Sequence, residues 1–388
     1  MRRPAIHYLD HAATSALRPD AVARAMVRYM DEVGATPGRG GHRLALEAGR
    51  IVLRARRAVC AVLGLPGDPG RVVFGLNATH GLNLALRGIL EPGDAVVVTA
   101  FDHNAVLRPV HHLRSERRVS VRLIPGDRSG TLDDQAFDAA LDGARLVVLN
   151  AVSNVLGSRL PVESLARRAR AAGCLVLVDT AQSAGHVPVS LADADLVAFT
   201  GHKGLLGPQG VGGLWVRTGL EVTPLLRGGT GGDSSRREMP LALPDRLEAG
   251  TLNGPGIAGL LAGCEAVLEE GVEVLHRREV ELKARLRDGL SALPGVDVLS
   301  PADPHGAGIV TLRVQGTDAG RLAHRLDRDH GVLGRSGLHC APEAHRALGT
   351  METGALRLSV GWGTTEADVD AAVEAVDQCA RSISIPLG

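Results

Sequence analysis

Among the 43 basic residues of this 388-residue chain only two are lysine, Lys203 and Lys283. Lys203 lies in the run Thr200-Gly201-His202-Lys203-Gly204. In so arginine-biased a chain, a retained lysine points to chemistry that arginine cannot do. Arginine keeps its proton and forms no imine, whereas a desolvated lysine can lose its proton and attack a carbonyl. Upstream, the apolar run Leu177-Val178 ends in Asp179 and continues as Thr180-Ala181-Gln182-Ser183. An acid at one strand end, with a lysine just past the next strand, is what pyridoxal 5'-phosphate (PLP) requires. The lysine forms the Schiff base and the carboxylate pairs with the pyridinium nitrogen.

Four further clusters carry groups of the right kind. Asn77-Ala78-Thr79-His80-Gly81 follows an apolar strand and opens a helix, where free N–H groups favour a phosphate. With Thr200, His202 and Lys203 it makes a plausible phosphate cup; alone it reads equally as an N-cap. Phe101-Asp102-His103-Asn104 follows another strand, and a histidine there could stack on a flat ring and move protons. Asn154, in Val152-Ser153-Asn154-Val155-Leu156-Gly157, could bond a ring hydroxyl or a carboxylate, or simply sit in a turn. Arg335-Ser336-Gly337-Leu338-His339-Cys340-Ala341-Pro342 puts a cysteine in a loop near Arg335, where it should be exposed and could have a lowered pKa. Beyond it Arg357 could clamp a carboxylate bidentately.

The elements that must position these groups are legible as alternating runs. Apolar, β-branched stretches at Arg71–Phe74, Ala95–Thr99, Val119–Ile124, Ala144–Ala151, Cys174–Thr180, Ala194–Thr200 and Val211–Arg217 read as strands. Amphipathic stretches at Gly81–Ile89, Leu132–Leu141 and Pro161–Ala172 lie between them. Strands spaced by helices predict a mostly parallel sheet covered on both faces, here with one antiparallel edge strand. Leu226–Pro244 reads as a mobile or interface loop. After Pro255 a long helical stretch runs through Glu273–Leu290, then a smaller α+β segment with strands at Ala307–Val314 and Ala355–Val360, and a terminal helix over Asp368–Arg381. The length leaves room for two domains.

Composition excludes several classes. A net charge of zero makes no case for nucleic acid or a membrane surface. Five scattered cysteines without a CxxC pair suggest neither zinc nor a disulfide framework, and fit reduced thiols in a cytoplasmic protein. No apolar h-region follows Arg2 and Arg3, and no run approaches a membrane span.

Taken with Tyr8-Leu9-Asp10-His11-Ala12-Ala13-Thr14 and Glu248-Ala249-Gly250-Thr251, these motifs resemble the class-V PLP enzymes of fold-type I, and within them the cysteine desulfurase and selenocysteine lyase branch. The short His-Cys-Ala loop is similar to the group II desulfurases. The resemblance implies an α/β fold, with a large domain on a mostly parallel seven-stranded sheet at 16–256. A smaller α+β domain would comprise 1–15 and 257–388 and carry the cysteine loop. It further implies that Lys203 holds PLP and shuttles the Cα proton, Asp179 pairs with the ring nitrogen, Gln182 bonds the ring oxygen and His103 stacks over the ring. Thr79, Thr200 and His202 would hold the phosphate. Thr251 would reach the phosphate of a second copy, making a homodimer with shared sites. Asn154, Arg335 and Arg357 would bind the substrate, and Cys340 would take sulfur from L-cysteine for an acceptor protein. Asp102 stands where the family commonly has glutamate, and the Ala78-Thr79-His80 turn lacks a second hydroxyl and an acid; both leave room for another substrate. An aminotransferase, epimerase or C–S lyase of the same fold remains open, as does a non-catalytic scaffold or sulfur-relay protein.

Overall fold

In the computed structural model, which describes residues 5–38, 40–231 and 235–383, chemistry-bearing loops collect at one edge of a seven-stranded sheet. The chain enters through β1 (His7–Tyr8), α1 (Asp20–Arg28) and α2 (Arg43–Leu63), then alternates β2 (Val72–Gly75), α3 (Ala78–Ile89), β3 (Ala95–Thr99), α4 (Asn104–Arg117), β4 (Ser120–Ile124), α5 (Asp134–Leu141), β5 (Leu146–Asn150) and α6 (Val162–Ala171). β6 (Leu175–Asp179), β7 (Leu196–Thr200) and β8 (Gly212–Val216) complete the sheet, in the order β2-β8-β7-β6-β5-β3-β4. The central strands are apolar throughout because helices cover both faces, so no alternation survives in their sequences.

β8 is the one antiparallel strand, and it is not at the edge. It runs antiparallel to β7 on one side and to β2 on the other, so β2 closes the sheet. The physical reason is the connection. The residues joining β7 to β8 form no crossover helix, so β8 must return alongside β7, and β2 then adds to its outer side. Glycine permits the close packing here. A Cβ on Gly81 of α3 would overlap the Gly213 carbonyl oxygen of β8, so only glycine lets the start of α3 lie flat on the sheet.

Leu226–Pro244 contains no helix or strand among its described residues. The long helical stretch expected next divides into α7 (Gly254–Glu270) and α8 (Val272–Ser291), because Gly271 between them takes φ 87°. α7 packs on α1 and α2. β9 (Val296–Val298), β10 (Ile309–Val314), α9 (Ala319–His330), β11 (Val332–Leu333), β12 (Arg335–Gly337), α10 (Pro342–Leu348), β13 (Ala355–Ser359) and α11 (Glu366–Ile383) follow. Strands β12-β13-β10-β9 form a second sheet, backed by α8, α9 and α11 around Leu286, Leu326, Leu356 and Val376. The first strand ties into this part: β1 pairs with β11, and Asp10 bridges Ser359. No helix among the described residues is long and apolar enough to cross a membrane.

Candidate active site

The strand order reverses between β3 and β5, and a ligand crevice belongs outside the carboxyl ends of strands at such a point. A cavity of about 220 Å³ lies there. Thr79, His103, Asn154, Asp179, Gln182, Thr200, His202, Lys203, Arg335 and Arg357 all line it. Thr251 and Cys340 do not.

Asp179 is the last residue of β6, and its Oδ1 accepts the Ala181 N–H at 2.9 Å. Burial raises its pKa, and the Lys203 charge opposes that rise. A protonated ring nitrogen against the carboxylate would supply the missing counter-charge. Lys203 is half-buried, and burial, with Arg357 next, lowers its pKa to about 8. Only charges at a distance accompany the burial, so its ammonium is not held by a structural hydrogen bond. Gln182 donates one amide N–H to the Ala12 carbonyl at 2.9 Å and keeps a second.

His103 is the N-cap of α4. Its Nδ1 accepts the Ala105 N–H at 3.0 Å, which puts the ring proton on Nε2. Burial first, and then Lys203, lowers its pKa to about 4, so the ring is neutral near pH 7. The cap uses only Nδ1, so the ring face and Nε2–H stay free. Its neighbour Asp102 is fully buried, accepts the Thr99 N–H at 2.6 Å, and is raised to about 8 by burial.

The phosphate cup is built from two ends. Asn77 caps α3 by accepting the His80 N–H at 3.0 Å, which leaves Ala78 and Thr79 at the cavity wall. Opposite, Thr200 ends β7, and His202 Nδ1 lies 3.0 Å from the Thr14 hydroxyl. The Thr200 hydroxyl is buried without a partner, as are Asn154 Oδ1 and Arg357 Nε. Three orphaned polar atoms around one cavity cost stability unless a polar ligand meets them. Together with the unpaired Asp179 carboxylate and the start of a 12-residue helix, they fit PLP and a carboxylate-bearing substrate.

Arg357 is not a surface residue: only 1% of it is exposed, in β13. One guanidinium nitrogen donates to Asp10 Oδ1 at 2.9 Å and another to the Asn154 carbonyl at 3.0 Å. Asp10 thus belongs to the site. Sequence reasoning gave it no role, since nothing local announces a partner 347 positions away.

Cys340 lies at the rim and departs from expectation by being half-buried, not exposed. Its carbonyl accepts the Asn104 N–H at 2.7 Å, and the Arg335 guanidinium lies 3.8 Å from its sulfur. The preceding residue is held from the other side, where Asn154 Nδ2 donates to the His339 carbonyl at 2.6 Å. Both residues take left-handed backbone, with φ 49° at His339 and 59° at Cys340. The other four cysteines are buried, and burial raises all their pKa values, to about 11 at Cys60.

The family model described as aminotransferase class-V matches residues 7–372. The chain belongs to the aminotransferase class-V family. Within that family it is 35% identical, over 96% of this chain and 94% of the other, to a probable cysteine desulfurase of Methanothermobacter thermautotrophicus. It is 33% identical to a cysteine desulfurase of Serratia proteamaculans, over 86% of this chain and 84% of that one. The apo structure of a cysteine desulfurase from Thermococcus onnurineus superposes with a TM-score of 0.90 at 33% identity, covering 97% of this chain and 95% of that one. A class-V α/β fold on a seven-stranded, mostly parallel sheet is common ground with these relatives.

Proposed function

We propose that this chain is a PLP-dependent cysteine desulfurase. It converts L-cysteine to L-alanine and leaves the sulfur on Cys340 as a persulfide for transfer to an acceptor. The observation that carries the reading is the placement of Cys340. It is the one half-buried cysteine of five, held by Asn104 through its own carbonyl and by Asn154 through that of His339, at the mouth of the cavity that Lys203 lines. The curated relatives named as cysteine desulfurases support the same activity.

When bound, PLP supplies an electron sink for the substrate Cα. Lys203, with its pKa near 8, is the residue that anchors the cofactor and then moves the Cα proton. The buried Asp179 would keep the ring nitrogen protonated, the spare N–H of Gln182 would serve the ring oxygen, and neutral His103 would stack on the ring with its Nε2–H as a hydrogen-bond donor. Thr79, Thr200 and His202 hold the phosphate with the start of α3. The orphaned Arg357 Nε and Arg335 take the substrate carboxylate, with Asn154 beside them. In the sulfur step the Cys340 thiolate forms the S–S bond as the substrate Cβ–S bond breaks, and a proton replaces sulfur on carbon. Cysteine plus thiol thus becomes alanine plus persulfide without an outside oxidant.

Thr251 is exposed, outside its own cavity, three residues beyond the buried Glu248 that pairs with Arg56. Leu76, next to Asn77, and Leu226 and Leu241 are exposed apolar residues. These support a homodimer in which Thr251 reaches the phosphate of the second copy. Five free thiols suit the reducing cytoplasm.

Alanine and sulfide released from L-cysteine, with a reductant present, test the reading in wild type and Cys340→Ala side by side. Equal amounts from wild type and neither from the variant are expected. Full-rate sulfide release by the variant would show a C–S lyase that does not use the thiol.

A further inference from the structure

Two consecutive non-glycine residues in left-handed backbone are unfavourable by about 1–2 kcal/mol each. Something beyond His339 and Cys340 must hold them there. Their carbonyls are clamped by Asn154 and Asn104, but those bonds restrain only the main chain. The His339 ring is held separately, through a chain of side chains with one possible direction. His339 Nε2 lies 3.1 Å from the Arg335 carbonyl, which can only accept, so Nε2 carries the proton and Nδ1 accepts. His345 Nε2, at 3.2 Å, must therefore donate to His339 Nδ1. That leaves His345 Nδ1 as an acceptor for the Thr350 hydroxyl at 2.7 Å. Every proton in the chain is thereby placed, and both rings are neutral.

His339 is 3% exposed, and His345 and Thr350 are wholly buried. The imidazoles stack with centroids 5.4 Å apart. Burial lowers the pKa of His345 to about 4 and that of His339 to about 3, so the direction of the chain persists through the neutral range. The Thr350 N–H also donates to the His345 carbonyl at 2.8 Å, which fixes the far end in the turn after α10. The near end grips the main chain of Arg335, whose guanidinium sits beside the Cys340 sulfur. The chain therefore spans from the turn at Thr350 to the two groups at the cavity mouth.

We propose that His345 and Thr350 are positioning residues for sulfur transfer, holding the Cys340 thiol and Arg335 in register through the His339 ring. The inference rests on the reading of Cys340 as the sulfur acceptor. Neither residue lines the cavity, so neither touches cofactor or substrate. Their loss should act on the step in which Cys340 takes part and, through Arg335, on the hold on the substrate carboxylate, and should leave cofactor binding alone.

The test uses the PLP-loaded enzyme and the variants Thr350→Val, Thr350→Ser and His345→Gln. Thr350→Val keeps the shape and removes the hydroxyl donor; Thr350→Ser keeps the donor. Thr350→Val and His345→Gln should lower kcat by about 10-fold, raise KM by no more than about 3-fold through Arg335 and leave the cofactor absorbance unchanged, since small misplacements of reacting groups carry penalties of this order. Thr350→Ser should recover kcat to within about two-fold. Iodoacetamide should alkylate Cys340 at an altered rate in Thr350→Val and at the wild-type rate in Thr350→Ser. That readout needs no turnover, so it stands even if Cys340→Ala proves fully active and the desulfurase reading falls. Unchanged kcat and alkylation in both Thr350→Val and His345→Gln overturn the proposal. So does a loss in Thr350→Val that Thr350→Ser fails to restore, which would mark ordinary core packing.

Discussion

Lys203 and Lys283 are the only lysines in the chain, and both have pKa values lowered to about 8, chiefly by burial. By composition and by titration they are twins, yet their surroundings differ. Lys283 is 2% exposed on α8, and its Nζ donates to the Asp303 carbonyl at 3.1 Å, outside the cavity. Lys203 is half-buried, opens into a cavity lined by twelve other polar or charged residues, and is flanked only by charges that tune it. A retained lysine and a lowered pKa are therefore not sufficient signs of chemistry. What separates the two is whether the nitrogen is already committed. A slim buried chain with one donor to a carbonyl is a packing solution that a planar, forked guanidinium does not fit. An uncommitted amine beside an unpaired acid is a reagent.

The largest effect that would break this contrast concerns Lys203. Lys203→Arg preserves charge and bulk but cannot form an imine, so turnover of L-cysteine should fall by about 10³-fold or more while the folded state persists by circular dichroism. Activity near wild type would make the two lysines equivalent after all. Next comes Lys283→Met, which should keep kcat per folded molecule and lower the unfolding free energy from urea titration by about 1–3 kcal/mol, since the Asp303 carbonyl loses a buried donor. Its pH dependence sharpens the point. The folded pKa lies below the ordinary 10.5, so between about pH 8 and 10.5 the unfolded chain binds the extra proton and stability rises with pH. Lys283→Met lacks that contribution, so its deficit relative to wild type should grow across this window in paired urea titrations. The smallest effect is expected from Asp303→Asn. It removes a charge but keeps the backbone carbonyl that Lys283 uses, so a loss of about 1 kcal/mol or less is expected by the same assay. A loss as large as that of Lys283→Met would trace to the Arg159 and His305 N–H groups, which the Asp303 carboxylate accepts at 2.9 and 2.8 Å, and not to the lysine.

The same contrast explains how much of the molecule was legible beforehand. The seven strands of the large sheet fall within a residue or two of their expected limits, because central strands are written locally as unbroken apolar runs. α2 went unseen: its apolar stripe of Ala48, Val52, Ala55 and Val59 is interleaved with arginines, one of which, Arg56, is itself buried against Glu248. Asp179, Thr200 and Lys203 could be found because strand ends and the loops after them are local features. Asp10, His345 and Thr350 could not, because each gains its meaning from a partner brought close only by folding.

From sequence alone came the fold class, the strand ends that carry the acid and the lysine, and the choice of Cys340 among five thiols. These depend on residue types and periodicity within a short window. Only the tertiary structure decided that β8 lies inside the sheet, that Arg357 is buried on Asp10, and that Cys340 is half-buried at the end of a chain rooted in Thr350. The reason is that these are long-range pairings. A buried hydrogen bond or ion pair depends on distance in space and on the exclusion of water, and neither is encoded at any one position of the chain.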